Sequence, residues 1–151
     1  MTLIYLDSSA VIKLFLEEPS SSEVAAAVGG RGVHCVTSDL TYAEIHGFFA
    51  RAAATGRIPV PGQQQLIQDF QAWFASVAHC AVTLAQIQRA GRLAIQHNLR
   101  GADSIHLAAA LECALPAASV RKVFACFDDR LTREARRMGV FDAFLTLPGL
   151  A

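Results

Sequence analysis

A short apolar segment near the N-terminus, residues 3–6 (LIYL), stops at a single carboxylate, Asp7. Two hydroxyl residues, Ser8 and Ser9, come next, and apolar residues at helical spacing follow them. The pattern predicts a buried parallel strand that ends before Asp7 and a helix from about Ser9. Asp7 would then lie at the C-terminal end of a strand, which is the edge of an open α/β sheet where ligands bind. A buried carboxylate needs a partner or a metal ion, so the other residues at this edge decide what the site binds.

The rest of the chain alternates between short apolar runs and helical patterns. Further strands are predicted at 33–37, 123–127 and 141–147, with a weaker run at 80–84. Helices are predicted at about 9–18, 20–28, 39–56, 64–75, 85–97, 102–115 and 132–138, with a turn at 59–62 and a loop at 116–119. This alternation predicts a three-layer α/β/α sandwich around a central, mainly parallel sheet. With 151 residues, we expect a single domain that covers 1–151.

Composition limits the class of function. Apolar residues make up 53% of the chain and charged residues 17%, which predicts a folded globule rather than disorder. The formal net charge is zero, so any surface that binds nucleic acid must be local. The four cysteines, Cys35, Cys80, Cys113 and Cys126, lack the paired spacing of zinc sites, and we expect buried free thiols in a reducing cytoplasm. No segment is typical of a signal peptide or a membrane span.

Four of the 13 acidic residues occupy positions that a solvated role does not explain well. Asp7 and Asp128 end apolar strands, Glu44 lies in the first turns of a helix, and Asp103 opens another helix. Each of them alone could cap or complement a helix N-terminus. Together they follow or open elements that converge on one sheet edge, and clustered carboxylates repel unless a cation neutralises them. The sequence therefore predicts a hard divalent ion with oxygen ligands, Mg²⁺ or Mn²⁺.

Four segments, in this order along the chain, carry a family resemblance: YLDSSAVIKLFLEEP, the helix with Glu44, RGADSIHLAAAL and FACFDDRL. They resemble a PIN domain and, more narrowly, the VapC-type toxins of bacterial toxin–antitoxin pairs, and the resemblance spans nearly the whole chain. It implies a metal-dependent ribonuclease. The catalytic and metal-binding acids of that family match Asp7, Glu44, Asp103 and Asp128.

The sequence departs from the family pattern two residues before the last acid. Thr or Ser is common there, whereas this chain has Cys126, which weakens any hydroxyl role at that position. Asp129 also follows Asp128 directly, so either carboxylate is a candidate to face the metal. The spacing before Arg130-Leu131 favours Asp128.

The sequence allows two roles for each of several residues near the acids. Ser8 and Ser9 fit either a helix cap or a position that holds water near the metal. Lys13 and Arg100 fit either a phosphate contact or a solvated surface.

Two histidines and a group of arginines complete the candidates. His46 and His106 lie close in sequence to Glu44 and Asp103, and we expect them to be packed or hydrogen-bonded, because Mg²⁺ prefers oxygen ligands. The last helix carries a basic cluster that is either a solvated face or a guide for an RNA backbone: Arg130, Arg133, Arg136 and Arg137.

We therefore expect a Mg²⁺-dependent endoribonuclease (Mn²⁺ being an alternative ion) that acts in the cytoplasm as the toxin of a toxin–antitoxin pair. RNA is the expected substrate, a small antitoxin the partner, and a homodimer the assembly. The apolar stripe of helix 64–75, with Trp73 and Phe74, is mostly core, and part of it is available to a second copy or to the antitoxin.

Two other functions remain open from the sequence. Phosphatases of the haloacid-dehalogenase kind also place an aspartate after the first strand, but they need a second one two residues later, where this chain has Ser9. The other alternative is a PIN-like module that binds RNA or protein through a weak or inactive site. The four intact acids disfavour that alternative.

Overall fold

A five-stranded sheet lies at the centre of the structure, a computed structural model that describes residues 1–114 and 119–146. Its strands are β1 (Thr2–Leu6), β2 (Val33–Ser38), β3 (Ala78–Cys80), β4 (Arg121–Ala125) and β5 (Ala143–Leu145). They lie in the order β3-β2-β1-β4-β5, and every neighbouring pair is parallel. The C-terminal ends of all five strands therefore share one edge of the sheet, as the sequence predicts.

Helices cover both faces of this sheet. Those of the described ranges are α1 (Ser8–Ile12), α2 (Ser21–Val28), α3 (Leu40–Ala54), α4 (Val60–Ser76), α5 (Leu84–His97), α6 (Gly101–Ala114) and α7 (Asp129–Arg137). The side chains of β1 alternate between the faces: Ile4 and Leu6 pack with helices α1 to α4, and Tyr5 packs with α5 to α7. The expected α/β/α sandwich is confirmed.

Aromatic residues fill both layers of the core. Tyr5 and Phe124, on the central strands, stack with ring centroids 5.8 Å apart and face α5 to α7. Phe49 and Phe70 are fully buried on the opposite face, where α3 and α4 pack together. Burial of a phenylalanine contributes roughly 1.5–3 kcal/mol, so these layers hold the sheet edge rigidly.

Three helix boundaries differ from the sequence prediction by three residues or more. Helix α1 ends at Ile12 rather than near residue 18, because the next amides, from Lys13 to Phe15, bond to carbonyls three residues back and form turns. Helix α4 begins at Val60, within the predicted turn, since a proline in the first helical turn needs no amide donor. Helix α7 begins at Asp129 instead of Thr132, because Asp128 caps it.

The predicted loop at 116–119 lies mostly outside the described residues. Residue 115, the last of the predicted helix 102–115, and residue 147, the last of the predicted strand 141–147, also lie outside the described residues. The weak run at 80–84 is displaced, because β3 covers 78–80 and α5 already begins at Leu84. Among the described residues, no helix is both long and apolar enough to cross a membrane.

The four cysteines occupy different settings. The sulfur atoms of Cys80, at the end of β3, and Cys113, on α6, are in contact. Their separation of 33 residues gives no signal of this contact in the sequence, and they meet because both pack against the core layer between the sheet and α6. Cys35 and Cys126 are free thiols, as expected.

Candidate active site

All four acids predicted from the sequence line one cavity of about 270 Å³ at the C-terminal edge of the sheet. Asp7 follows β1 and Asp128 follows β4, while Glu44 and Asp103 lie near the starts of α3 and α6. The rest of the lining consists of Ser8, Ser9, Arg100, His106 and Phe127. Four separate elements therefore bring their carboxylates to one place.

Asp7 is both a helix cap and a buried acid. One of its oxygens accepts hydrogen bonds from the Ala10 amide at 3.0 Å and from the Ser9 hydroxyl at 2.6 Å. The other accepts from the Cys126 thiol at 3.1 Å. Only 5% of Asp7 is exposed, and this burial raises the pKa of its carboxyl, although the His106 charge and the three donors act in the opposite direction.

Asp103 and Asp128 share one cation, the guanidinium of Arg100. Its Nε donates to Asp103 at 2.7 Å, and its Nη2 donates to Asp128 at 3.1 Å. The two carboxylates raise the pKa of Arg100 above its ordinary value, the hydrogen bond to Asp103 being the largest cause. The other oxygen of Asp128 accepts from the Leu131 amide at 2.8 Å and caps α7.

Glu44 is held by two donors from different elements. The Ser8 hydroxyl and His106 Nε2 both bond to the same carboxylate oxygen, the histidine at 2.7 Å. The Tyr5 hydroxyl lies 2.9 Å from the other ring nitrogen of His106, which is 3% exposed. Burial alone would raise the pKa of Glu44, but the hydrogen bond and charge of His106, together with Ser8, hold it below its ordinary value.

Two buried threonines fix the helix that carries Glu44. The Thr37 hydroxyl donates to the Leu6 carbonyl at 2.7 Å and lies 2.8 Å from the Thr41 hydroxyl. These contacts join β1, β2 and the first turn of α3, and Glu44 follows Thr41 by three residues, on the same side of that helix. Sequence reasoning missed both threonines; the available signal was two hydroxyls four residues apart, where a strand gives way to a helix.

The thiol of Cys126 occupies a central place among these groups. Besides its bond to Asp7, its sulfur accepts from the Asp128 amide at 3.4 Å, and the residue is fully buried. Burial, followed by the Asp7 charge, raises the pKa of the thiol well above its ordinary value. Cys126 is therefore a neutral donor to Asp7, at the position where the PIN-domain pattern commonly has a hydroxyl.

The carboxylates suit a hard divalent cation by their chemistry, although their present spacing does not yet form a metal site. Within the described residues, no three His, Cys, Asp or Glu side chains are grouped closely enough to hold an ion as they stand. The chain's own donors engage each carboxylate, and Arg100 lies between Asp103 and Asp128. That arrangement shows that these two carboxylates can share one cation. The cavity's ligand atoms are carboxylate and hydroxyl oxygens, as Mg²⁺ prefers.

Comparison with known proteins agrees with the motifs. The sequence pattern of the PIN domain matches residues 4–136. The chain is also 34% identical over 139 residues to Ribonuclease VapC45 of Mycobacterium tuberculosis (strain CDC 1551 / Oshkosh) and to Ribonuclease VapC49 of strain ATCC 25618 / H37Rv. In each case the match covers 92% of this chain and 93% of the relative. The chain belongs to the PIN-domain family and to its VapC ribonucleases.

Two solved structures share the fold. One is VapBC2 from Rickettsia felis bound to a DNA fragment of its promoter, with a TM-score of 0.64, 8% identity, and coverage of 97% of this chain and 99% of the other. The second is a toxin–antitoxin complex from Klebsiella pneumoniae, with a TM-score of 0.52, 15% identity, and coverage of 82% and 84%. At these identities the likeness concerns the architecture, which is that of a PIN domain.

Two residues that the sequence left as candidates for the site, Asp129 and His46, lie away from the cavity. Asp129 is exposed and does not line the cavity, and its backbone carbonyl accepts from Arg133. His46 bonds to the Tyr42 carbonyl at 2.7 Å on the outer part of α3, so it is a hydrogen-bonded side chain, as expected. Of the adjacent aspartates, Asp128 is the one that reaches the other acids.

Lys13 is neither solvated nor part of the cavity. Its ammonium bonds to Glu18 at 3.0 Å and to the Pro19 carbonyl at 2.9 Å, and it lies 4.5 Å from the centre of the Phe127 ring. Only 7% of the residue is exposed. Glu18 is the partner of Lys13 and also of Arg57.

Stability of the metal-free protein should depend on the ionisation of Asp7. Because the pKa of Asp7 is raised, the folded state keeps a proton that the unfolded state loses, so stability falls as the pH rises from about 4 through the folded value. Asp7→Asn removes the buried charge and keeps the capping oxygen. We expect it to unfold at higher temperature than the wild type in EDTA at neutral pH, by the equivalent of about 1 kcal/mol.

The control for this experiment is Asp69→Asn, which changes an exposed carboxylate on α4 and should shift the free energy of unfolding by less than about 0.5 kcal/mol. Thermal melting with EDTA and with Mg²⁺ measures both variants. If Asp7→Asn melts below the wild type in EDTA, Asp7 acts only as a cap, and the buried-charge interpretation is wrong.

Proposed function

We propose that this PIN domain is a Mg²⁺-dependent endoribonuclease that hydrolyses RNA phosphodiester bonds as the toxin of a toxin–antitoxin pair. One observation carries the proposal: four carboxylates from four separate elements line one cavity, and two of them already share a cation. The VapC relatives carry the name ribonuclease, which supports the same chemistry for this chain.

Asp7, Glu44, Asp103 and Asp128 would hold the ion, directly or through water, and Mn²⁺ suits the same oxygen set. When bound, a divalent ion offsets charge on the phosphate and makes a bound water more acidic. This chemistry serves an in-line hydrolysis of the phosphodiester.

The chain's own residues prepare the cavity for that step. His106 and Ser8 keep Glu44 ionised and fixed in direction, which reduces the reorganisation needed during the reaction. Arg100 has a side chain that is 72% exposed, so it can leave Asp103 and Asp128 at little cost in packing. Its planar guanidinium then offers paired donors to a phosphate oxygen at the rim of the cavity.

We also propose a cognate antitoxin, a homodimeric assembly and a cytoplasmic location. One of the two solved neighbours is a VapBC2 assembly and the other a toxin–antitoxin complex, which supports the first of these. On α4, Phe70 is fully buried, while Trp73 and Phe74 are partly buried, and the Phe74 ring packs against that of the partly exposed Tyr42. This aromatic edge is the part of the helix that remains available to a partner.

Two observations favour the nuclease over the alternatives. Ser9, where a haloacid-dehalogenase phosphatase needs its second aspartate, bonds to Asp7 and accepts from the Phe127 amide at 2.7 Å, so its role is structural. A binding module with an inactive site has no need to keep four carboxylates together against their repulsion.

Purified protein should cleave RNA with Mg²⁺ or Mn²⁺ and stop in excess EDTA, because the candidate ligands are all oxygens that suit these ions. Gel analysis of a labelled RNA measures the cleavage, with the antitoxin-free protein as the enzyme. Undiminished cleavage in the chelator would rule out the metal mechanism.

Adjacent aspartates provide a matched test of the ligand assignment. Asp128→Asn should reduce cleavage by more than the roughly 10- to 100-fold typical of a lost outer-shell partner, because it removes a ligand oxygen beside Asp103. Asp129→Asn, one residue away and exposed, should retain near wild-type cleavage. The reverse result would move the metal site to Asp129 and contradict the cavity described above.

A further inference from the structure

A second cavity, of about 480 Å³, is lined by His97, Asn98, Arg130, Arg133, Glu134 and Arg137. We refer to it as the arginine cleft. The cavity that holds Asp7, Glu44, Asp103 and Asp128 is called the catalytic cavity here, after the proposed function. The arginine cleft lies beside it, because the same two chain segments, 97–100 and 128–133, contribute to both. This proximity allows a strand of nucleic acid in one cavity to extend toward the other.

A buried carboxylate holds part of the arginine cleft in place. Glu134 is 8% exposed and accepts from His97 Nδ1 at 2.9 Å and from the Arg137 guanidinium at 2.7 Å. The bond to His97 joins the end of α5 to α7, and the bond to Arg137 lies within α7. The wall of the cleft is thus fixed before any ligand arrives.

Two arginines that line the cleft carry positive charges that no acidic side chain among the described residues pairs with. Arg130 and Arg133 are exposed, and within the described residues neither belongs to an ion pair. Arg133 donates only to the Asp129 backbone carbonyl, at 3.3 Å. With Arg137 they recur at helical spacing along one face of α7, over about 10 Å at 1.5 Å per residue.

Arg136 differs from the other arginines of the basic cluster predicted on this helix. Its guanidinium lies 4.6 Å from the centre of the Phe144 ring on β5, and its buried Nε has no hydrogen-bond partner among the residues that the structure describes. It does not line the cleft. The cluster therefore divides into one packed arginine and three that face a common space.

The catalytic cavity itself is a poor place to attract RNA, because four carboxylates there face one guanidinium. We propose that the arginine cleft binds backbone phosphates of the single-stranded RNA whose neighbouring segment lies in the catalytic cavity, with Arg130 and Arg133 each contacting a phosphate. The inference rests on the proposed function, since it extends the path of the same substrate. Arg137 and His97, held by Glu134, shape the cleft.

The test is RNA binding without cleavage. A fluorescent single-stranded oligonucleotide is titrated with protein in EDTA over a series of salt concentrations, and anisotropy gives the binding constant. R130Q/R133Q should bind more weakly than wild type. Because each phosphate contact on a single strand contributes about 0.7 to the slope of log K against log salt, its slope should be smaller by about 1.4.

The matched control is R31Q/R121Q. It removes the same charge from two exposed arginines that precede β2 and open β4, at the opposite, N-terminal edge of the sheet. The control should keep the wild-type slope, and circular dichroism should give native spectra for both variants, whose replaced side chains are exposed.

Three results would contradict the proposal that the arginine cleft binds RNA. R130Q/R133Q could keep the wild-type slope, or the control could lose as much slope, which would indicate a general field effect. R130Q/R133Q could also bind RNA normally but lose binding to an acidic protein partner. Cleavage of RNA by R130Q/R133Q with Mg²⁺, measured in parallel, separates this failure from failure of the proposed function: an unchanged slope with intact cleavage removes the cleft alone.

Discussion

Repulsion among four carboxylates at one end of a parallel sheet is the constraint on which the rest of this site depends. Without a metal ion, different neighbouring groups reduce this repulsion at different acids. Arg100 neutralises Asp103 and Asp128 together, while His106 and Ser8 stabilise the charge of Glu44. Burial raises the pKa of the Asp7 carboxyl, which favours its neutral form. The site is thus organised for positive charge before any ion is bound.

The parallel topology of the sheet is the reason that the carboxylates lie close together. All strands end at one edge, so the acids that follow β1 and β4 meet there whatever the sequence between them. The aromatic layers on both faces fix the strands, and the Thr37 and Thr41 hydroxyls fix α3 against β1. Packing therefore holds like charges together that would separate in a looser structure.

The sequence was most informative where function and chain direction coincide. Strand β1 and Asp7 could be predicted because an apolar run that stops at an acid is typical of a buried strand that reaches the ligand-binding edge of a sheet. Strand β4 with Asp128 repeats the pattern. The acids on α3 and α6 followed from helix starts, with the family motifs as support. The parallel sheet, the helix layers and the grouping of the four acids were predicted from these local signals together with the family motifs.

Contacts between side chains far apart in sequence could not be predicted. The bond of His106 to Glu44 spans 62 residues, and that of Arg100 to Asp128 spans 28. Both depend on how helices pack across the sheet edge, which periodicity does not encode. The contact between Cys80 and Cys113 has the same origin.

Whether these carboxylates form one site for a hard divalent cation is tested most directly by diffraction from crystals soaked in Mn²⁺, with anomalous scattering to locate the metal. We predict an anomalous peak inside the catalytic cavity, at coordination distance (about 2.0–2.3 Å) from Asp7 and at least one of the other three acids, with Arg100 turned away from Asp103 and Asp128. A cavity without manganese at saturating Mn²⁺, with Arg100 still bridging the two aspartates, would contradict the account.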